Sequence, residues 1–219
     1  MNVTEQESYD LEACINCVML LANRETPTEM DESETAEWLA GMDKAWPESE
    51  GWHLAPACGE DCEGGFSWRA CGVCGSNLGG DRHAVTAWRT VAADEYLDEM
   101  VAAYVECALW AGLDWSGMAE GDDNPEPLDA AHDADDLAPA TLKEIREECR
   151  QFIVSEARDL AEIDASQAGH DLYLTRNRHG AGFWDRGLGE RGDRLAAAAR
   201  VWGTSELYAG DDGKLYAQG

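Results

Sequence analysis

Apolar residues recur at the three-to-four-residue spacing of an amphipathic helix in four segments of the chain. Two of these segments open with a capping box, Thr4-x-x-Glu7 and Thr141-x-x-Glu144, whose side chains bond the free backbone N–H groups of a first helical turn. Pro47 stops the second segment, and Gly112 suits the end of the third. The pattern therefore predicts helices over residues 5–23, 31–46, 92–111 and 141–163.

Shorter apolar runs between Gly-rich stretches indicate strands. Residues 51–89 are rich in Gly and Cys and predict short strands around a turn. Towards the C terminus, the pattern predicts a strand over 172–175, a Gly-rich loop over 179–189 and a helix over 190–202. A hairpin over 206–216 then closes on Asp212-Gly213. The expected fold class is α+β, with an N-terminal zinc-ribbon-like module, central helices, and a small C-terminal β-sheet with one helix.

Changes in composition divide the chain into three expected parts. Residues 1–90 form a zinc-binding module, 91–136 a helix followed by an acidic connector, and 137–219 a C-terminal α+β module. The connector is defined by three prolines and many aspartates within residues 114–140, and Leu128 and Leu137 are its expected anchors to the core.

Two cysteine pairs have the spacing of metal ligands: Cys14-x-x-Cys17 and Cys71-x-x-Cys74. Four thiolates suit tetrahedral zinc, and a closed set of four ligands is structural rather than catalytic. The N-terminal residues lack the positive and apolar regions of a secretory signal, so a reducing compartment is expected and zinc is favoured over disulfide bonds.

Other potential ligands leave alternatives open. Cys58 and Cys62 could join Cys71 and Cys74 in a compact site, or remain free thiols or a redox pair. The alternative imidazole ligands are His53 and His83, although a single histidine in a Trp-rich segment is more often packed than ligating.

Acidic residues dominate the chain: 45 Asp and Glu against 16 Lys and Arg give a net charge of −29. Residues 90–142 contain 14 acidic residues and no Lys or Arg, whereas residues 169–219 are neutral. This charge argues against direct nucleic-acid binding. The acidity serves solubility alone, or it imitates nucleic acid and occupies a basic cleft on another protein. In the second interpretation the candidate contacts are Asp94, Glu95, Asp98, Glu99, Asp122 and Asp123.

A Gly-rich segment near the C terminus contains the only candidate catalytic groups. Arg176, His179 and Asp185 could form an acid/base and anion-binding set. No phosphate-loop or triad pattern is matched, so the competing interpretation is a loop held by its own hydrogen bonds.

The stretch from Cys14-Ile-Asn-Cys17 to Cys71-Gly-Val-Cys74-Gly-Ser-Asn resembles small, uncharacterised zinc-finger-like proteins of tailed phages of actinobacteria. The resemblance covers about residues 10–90 and implies that the two Cys-x-x-Cys pairs form one site, with Cys58 and Cys62 as extras. Residues 137–219 resemble a second phage module of unknown function. Arg24 and Arg178 stand where these families usually have glycine.

These observations do not identify a reaction. The expected function is a phage-encoded, acidic, zinc-binding protein of the host cytoplasm, which modulates a host factor with a basic, nucleic-acid-binding surface as a DNA mimic or anti-defence protein. The alternatives are a hydrolase or nucleic-acid-modifying enzyme at the 176–189 loop, and a nucleic-acid binder through the zinc ribbon. No apolar run approaches the roughly 18–20 residues of a membrane helix, so no membrane partner is expected.

Overall fold

The computed structural model describes residues 2–57, 64–115 and 124–219, which form a mixed α+β protein. The predicted fold class is therefore confirmed. The chain divides into two compact units: Gln6–Thr90, and Val91–Gly219 together with the N-terminal residues through Glu5.

The Gln6–Thr90 unit is built on a small sheet whose central strand is β4 (Gly80–Ala92). Strands β1 (Thr4–Cys14) and β2 (His53–Pro56) flank β4 in the order β1-β4-β2, and β3 (Gly65–Ser67) also pairs with β4. β2 and β3 run antiparallel to β4, with His53 opposite Trp88. The elements in chain order are β1 (Thr4–Cys14), α1 (Ile15–Asn23), α2 (Glu32–Ala45), β2 (His53–Pro56), β3 (Gly65–Ser67) and β4 (Gly80–Ala92).

The predicted helix over 5–23 is wrong in its first half, where the chain forms strand β1 and the helix begins only at Ile15. Tyr9, Leu11 and Ala13 alternate with polar residues at positions 8, 10 and 12, which is the two-residue period of a strand. Hydrogen bonding to β4 stabilises the strand in preference to the helix that the weaker three-to-four-residue pattern predicted. The predicted helix over 31–46 is confirmed as α2, and the capping box that begins it is formed by Asp31 and Glu34.

The Val91–Gly219 unit is mainly helical. Its C-terminal hairpin, β7 with β8, and the helices predicted over 92–111 and 190–202 are confirmed. The elements in chain order are α3 (Asp94–Ala111), β5 (Leu113–Asp114), β6 (Glu126–Pro127), α4 (Pro139–Ser155), α5 (Ala157–Leu160), α6 (Ala165–Arg176), α7 (Glu190–Val201), β7 (Glu206–Ala209) and β8 (Leu215–Gln218).

The strand predicted over 172–175 is wrong, because these residues form the end of helix α6. Asp164 begins α6 by accepting hydrogen bonds from the backbone N–H groups of Ser166 and Gln167. The helix predicted over 141–163 is shorter than expected. It begins at Pro139, whose missing N–H is harmless in a first turn, and stops at Ser155 before the short α5.

One hydrophobic core fills this unit, and α3 packs in it against both α4 and α6. The rings of Tyr104 and Tyr173 meet edge to face with centroids 5.2 Å apart, and those of Phe152 and Phe183 stack at 5.9 Å. Leu128 and Leu137 of the connector are buried in this core, as predicted. The largest fully buried side chains of the Val91–Gly219 unit include Tyr96, Leu97, Met100, Tyr104, Leu128, Ile145, Phe152, Ile153, Tyr173, Phe183 and Leu195.

Candidate metal centre

The two Cys-x-x-Cys pairs occupy two turns of the Gln6–Thr90 unit. Cys14 is the last residue of β1 and precedes α1, and Cys17 lies in the first turn of that helix. Cys71 and Cys74 lie in the turn between β3 and β4. Pairing of β1 and β3 with β4 fixes where these two turns stand within the sheet.

The four cysteine sulfurs form one cluster in which all lie within 4.8 Å of one another. The Cys14 sulfur is 3.6 Å from that of Cys17 and 3.9 Å from that of Cys74, and the Cys71 and Cys17 sulfurs are 3.8 Å apart. A tetrahedron with metal–sulfur bonds of about 2.3 Å has sulfurs about 3.8 Å apart. These distances fit a tetrahedral metal ion and are too long for disulfide bonds.

Backbone N–H groups face the sulfurs, as in other thiolate metal sites. The N–H of Cys14 donates to the Cys71 sulfur at 3.2 Å. Backbone hydrogen bonds from Cys17, Cys74 and Ser76 reach the sulfurs of Cys14, Cys71 and Cys74, respectively. Each such bond stabilises the thiolate form, which is the form that binds metal.

The turn that presents Cys71 and Cys74 is held by its surroundings. Gly72 N–H donates to the Glu12 carbonyl at 2.8 Å, and the Trp46 indole N–H donates to the Gly72 carbonyl at 2.9 Å. Gly75 has a φ of +73°, a left-handed conformation that favours glycine. Cys17, Cys71 and Val73 are buried in a small hydrophobic cluster with Ala13, Met42 and Val85.

The thiols share protons because they lie so close together. Hydrogen bonding with Cys14 raises the pKa of Cys17, whereas hydrogen bonds from Cys14 and Cys17 lower the pKa of Cys74 to about 6. A divalent cation bound here would take the place of the shared protons and would allow all four sulfurs to ionise. The four cysteines could therefore hold a metal ion.

Arg82 braces the loop that carries the second cysteine pair. It is 6% exposed and donates to the carbonyls of Arg69 and Leu78 at 2.9 and 2.7 Å. A buried arginine cannot be recognised from one sequence. Arg89 is also engaged, because it lies over the Trp52 ring and pairs with Glu7 at 2.7 Å.

The alternative ligands do not join this cluster within the described residues. His53 is exposed on β2 and packs against the Trp88 ring at a centroid distance of 5.8 Å. His83 is half-buried on β4. Neither histidine belongs to a group of three or more potential ligands in the described ranges. Cys58 and Cys62 lie outside the described residues.

The structure does not bring the candidate catalytic residues together. Arg176 is 3% exposed and donates to Tyr104, to the Gly203 carbonyl and to Glu148, the last at 2.6 Å. Asp185 accepts from the Gly182 N–H, and the His179 ring stacks on Tyr173 with centroids 5.8 Å apart. Among the described residues, none of these three side chains hydrogen-bonds another. Arg176 thus ties α6 to α3, α4 and the turn after α7.

The acidic candidates on α3 lie on its solvent side. Asp94, Glu95 and Asp98 are exposed and Glu99 is half-buried. Asp98 pairs with Arg146 of α4 at 2.6 Å, so one carboxylate is already neutralised within the unit. Asp122 and Asp123 lie outside the described residues. Sequence reasoning missed Glu106 and Trp110, which continue the same exposed side of α3.

Comparison of the chain with protein-family models, with curated proteins and with solved structures finds no match. Within the described residues, no helix combines the length and the apolar character needed to cross a membrane.

Proposed function

We propose that the four-cysteine cluster binds one structural zinc ion. Four sulfur donors prefer a soft or borderline cation, and the spacing of 3.6–3.9 Å supports a tetrahedral ion such as zinc. With four protein ligands, no position remains for a substrate or an activated water, so the ion holds two turns together.

Elemental analysis of the purified chain tests this assignment. We expect one zinc per chain, and loss of the metal when Cys71 is replaced by Ser. Cys107→Ser, which changes a buried cysteine of the other unit, is the matched control and should keep the zinc. Absence of zinc, or its loss only when Cys58 and Cys62 are replaced, would contradict the assignment.

We further propose that the protein acts by binding a partner with a basic, nucleic-acid-binding surface. The observation that carries this proposal is the exposed side of α3. Asp94, Glu95 and Glu106 face solvent, while the opposite side of the helix is buried. Carboxylates on a rigid helix can stand in for phosphates because they present negative charge at fixed positions.

The local sequence supports a common role for these carboxylates. The stretch from residue 90 to residue 142 contains 14 acidic residues and no Lys or Arg. Only two of these acids lie in the first turn of α3, where they stabilise the helix N terminus, so helix stabilisation does not account for the others. Asp129, Asp133 and Asp135 of the connector are exposed as well. The acidic surface, defined here as the exposed carboxylates of α3 and of residues 126–135, is the proposed contact.

The resemblance of residues 10–90 and 137–219 to phage modules supports a setting for this contact. We propose a phage-encoded protein that works in the host cytoplasm, where it occupies the nucleic-acid site of a host factor such as a defence nuclease. The neutral C-terminal residues then serve as a scaffold.

Capture from a nuclease-treated host lysate tests the binding function. We expect a host protein of basic surface to be retained at 50 mM salt, to be released by roughly 300 mM salt, and to be displaced by duplex DNA. Retention that resists both salt and DNA would contradict the proposal.

A further inference from the structure

A cleft of about 270 Å³ opens beside the C-terminal half of α3, within the Val91–Gly219 unit. One wall is apolar and includes Leu109 of α3 and Leu174 of α6. Trp110 also lines the cleft, and 65% of this residue is exposed to solvent. The cleft therefore offers an indole and an aliphatic wall to a side chain that enters from solvent.

Two carboxylates line the same cleft: Glu106, one helical turn before Trp110, and Asp129 of the connector. The Glu106 side chain is 78% exposed, and its carboxylate oxygen is 3.8 Å from the His170 ring nitrogen, beyond hydrogen-bonding distance. Both carboxylates belong to the segment without Lys or Arg. Neither is consumed by an internal ion pair with a lysine or arginine among the described residues.

Arg186 is the one arginine among the described residues that line the cleft, and the His170 imidazole lines it as well. Its guanidinium is held by Asp171 at 2.7–2.8 Å, and Asp171 is fully buried. This pair cancels the positive charge of Arg186, so Glu106 and Asp129 give the cleft a negative rim.

An aromatic face, an aliphatic wall and free carboxylates together match one side chain. A guanidinium stacks on an indole and accepts a carboxylate as a two-pronged hydrogen-bond partner, while the aliphatic stem of arginine packs on apolar surface. We propose that this cleft receives an arginine side chain of the protein's basic partner. The inference rests on the proposed function and adds the anchor point within the acidic surface.

Binding of N-acetyl-arginine amide, followed by NMR of the Trp indole and His ring signals, tests the cleft directly. We expect saturable shifts of the Trp110 and His170 signals, with Trp110 assigned through Trp110→Phe. N-acetyl-citrulline amide has nearly the same shape without the charge, and we expect it to bind about five-fold more weakly. The double variant Glu106→Gln with Asp129→Asn should lose about the same factor for the arginine probe.

The matched control is Glu144→Gln with Asp211→Asn, which removes the same charge from exposed positions outside the acidic surface and should leave the affinity for the arginine amide within about two-fold. Equal binding of arginine and citrulline amides, or no shift at Trp110, would overturn the proposal.

Thermal unfolding of each variant shows whether the fold is kept. If the arginine amide does not bind while lysate capture persists, the cleft assignment fails and the proposed function stands. If the amide binds but no basic partner is captured, the proposed function fails instead.

Discussion

Two arginines adopt a backbone conformation that normally belongs to glycine. Arg24 has φ 60° at the end of α1, and Arg178 has φ 58° just after α6. Both turns form although arginine, not glycine, stands at each position. A residue with a side chain is destabilised by roughly 1–2 kcal/mol in this left-handed region, so each of the two turns is strained.

We predict that Arg24→Gly and Arg178→Gly each raise the free energy of unfolding by about 0.5–1 kcal/mol, because relief of strain exceeds the added freedom of the unfolded chain. Neither arginine makes a side-chain hydrogen bond or ion pair within the described residues. Urea unfolding measures the change. Arg150→Gly, at a half-buried position inside α4 that also pairs with Glu147, is the control and should lower stability by about 1 kcal/mol or more.

Asp159 supplies a test at acidic pH. Hydrogen bonds from Arg194, at 2.7 Å to each carboxylate oxygen, lower the pKa of Asp159. A depressed folded-state pKa contributes stability above the unfolded pKa of about 3.9, and this stability is lost as the pH falls through the folded value. We expect Asp159→Asn to be about 1–2 kcal/mol less stable than the parent at pH 7, with the difference shrinking below pH 4. A difference that is constant from pH 7 to pH 3 would contradict this.

Among the secondary-structure elements, those with a clear period and clear ends were predictable from sequence. Helix α3 has a regular apolar stripe, and its predicted bounds differ from the observed ones by only a residue or two. Helix α6 was missed because it is buried on nearly all sides, from Ala168 to Arg176, and so shows no stripe. The one local signal for a helix in this segment is the N-cap residue Asp164, and residues 172–175 are helical despite their preference for strand.

The contact between α3 and α6 depends on Gly169. A Cβ added there would overlap the Met100 carbonyl oxygen and approach the Tyr104 N–H to 2.9 Å. We predict that Gly169→Ala lowers the free energy of unfolding by about 1–3 kcal/mol, because the two helices must separate. Gly41→Ala, in the interior of α2 where the added methyl is 3.6 Å from its nearest neighbour, should be neutral or slightly stabilising. Equal effects of the two substitutions in thermal unfolding would argue against the close approach.

In the candidate metal site, the Cys-x-x-Cys spacing was sufficient to propose the four ligands, because each pair spans a single turn. The sheet pairing that brings the two turns together was not predictable, since residues 5–14 were expected to be helical. Arg82, which braces the second turn, was also missed because its role depends on contacts with residues that are distant in sequence.

For the protein as a whole, the division into two units leads to a prediction about zinc. The Gln6–Thr90 unit has only a small hydrophobic cluster of its own, whereas the Val91–Gly219 unit has a large core. We expect a chelator, or Cys71→Ser, to abolish hydrogen-exchange protection in residues 6–90 while the helices of residues 94–201 stay protected. Loss of protection in both units together would show that zinc stabilises the chain globally.

Charge is the feature of the protein that the structure relates most directly to binding. The acidic stretch of residues 90–142 contributes an exposed side of α3, but Asp98 is paired with Arg146, which the linear sequence could not show. Glu106 and Trp110 extend the surface to the cleft. Binding through this surface is the central claim.

The most direct test compares partner capture, at 50 and 300 mM salt, by two variants that each lose four negative charges. One carries Asp94→Asn, Glu95→Gln, Asp98→Asn and Glu99→Gln, and the control carries Glu25→Gln, Glu29→Gln, Glu37→Gln and Asp43→Asn at exposed positions of the other unit. We expect the first variant to lose the partner at 50 mM salt, and we expect the control and His179→Ala to retain it. Equal capture by both charge variants, with loss of capture only in His179→Ala, would contradict binding through the acidic surface.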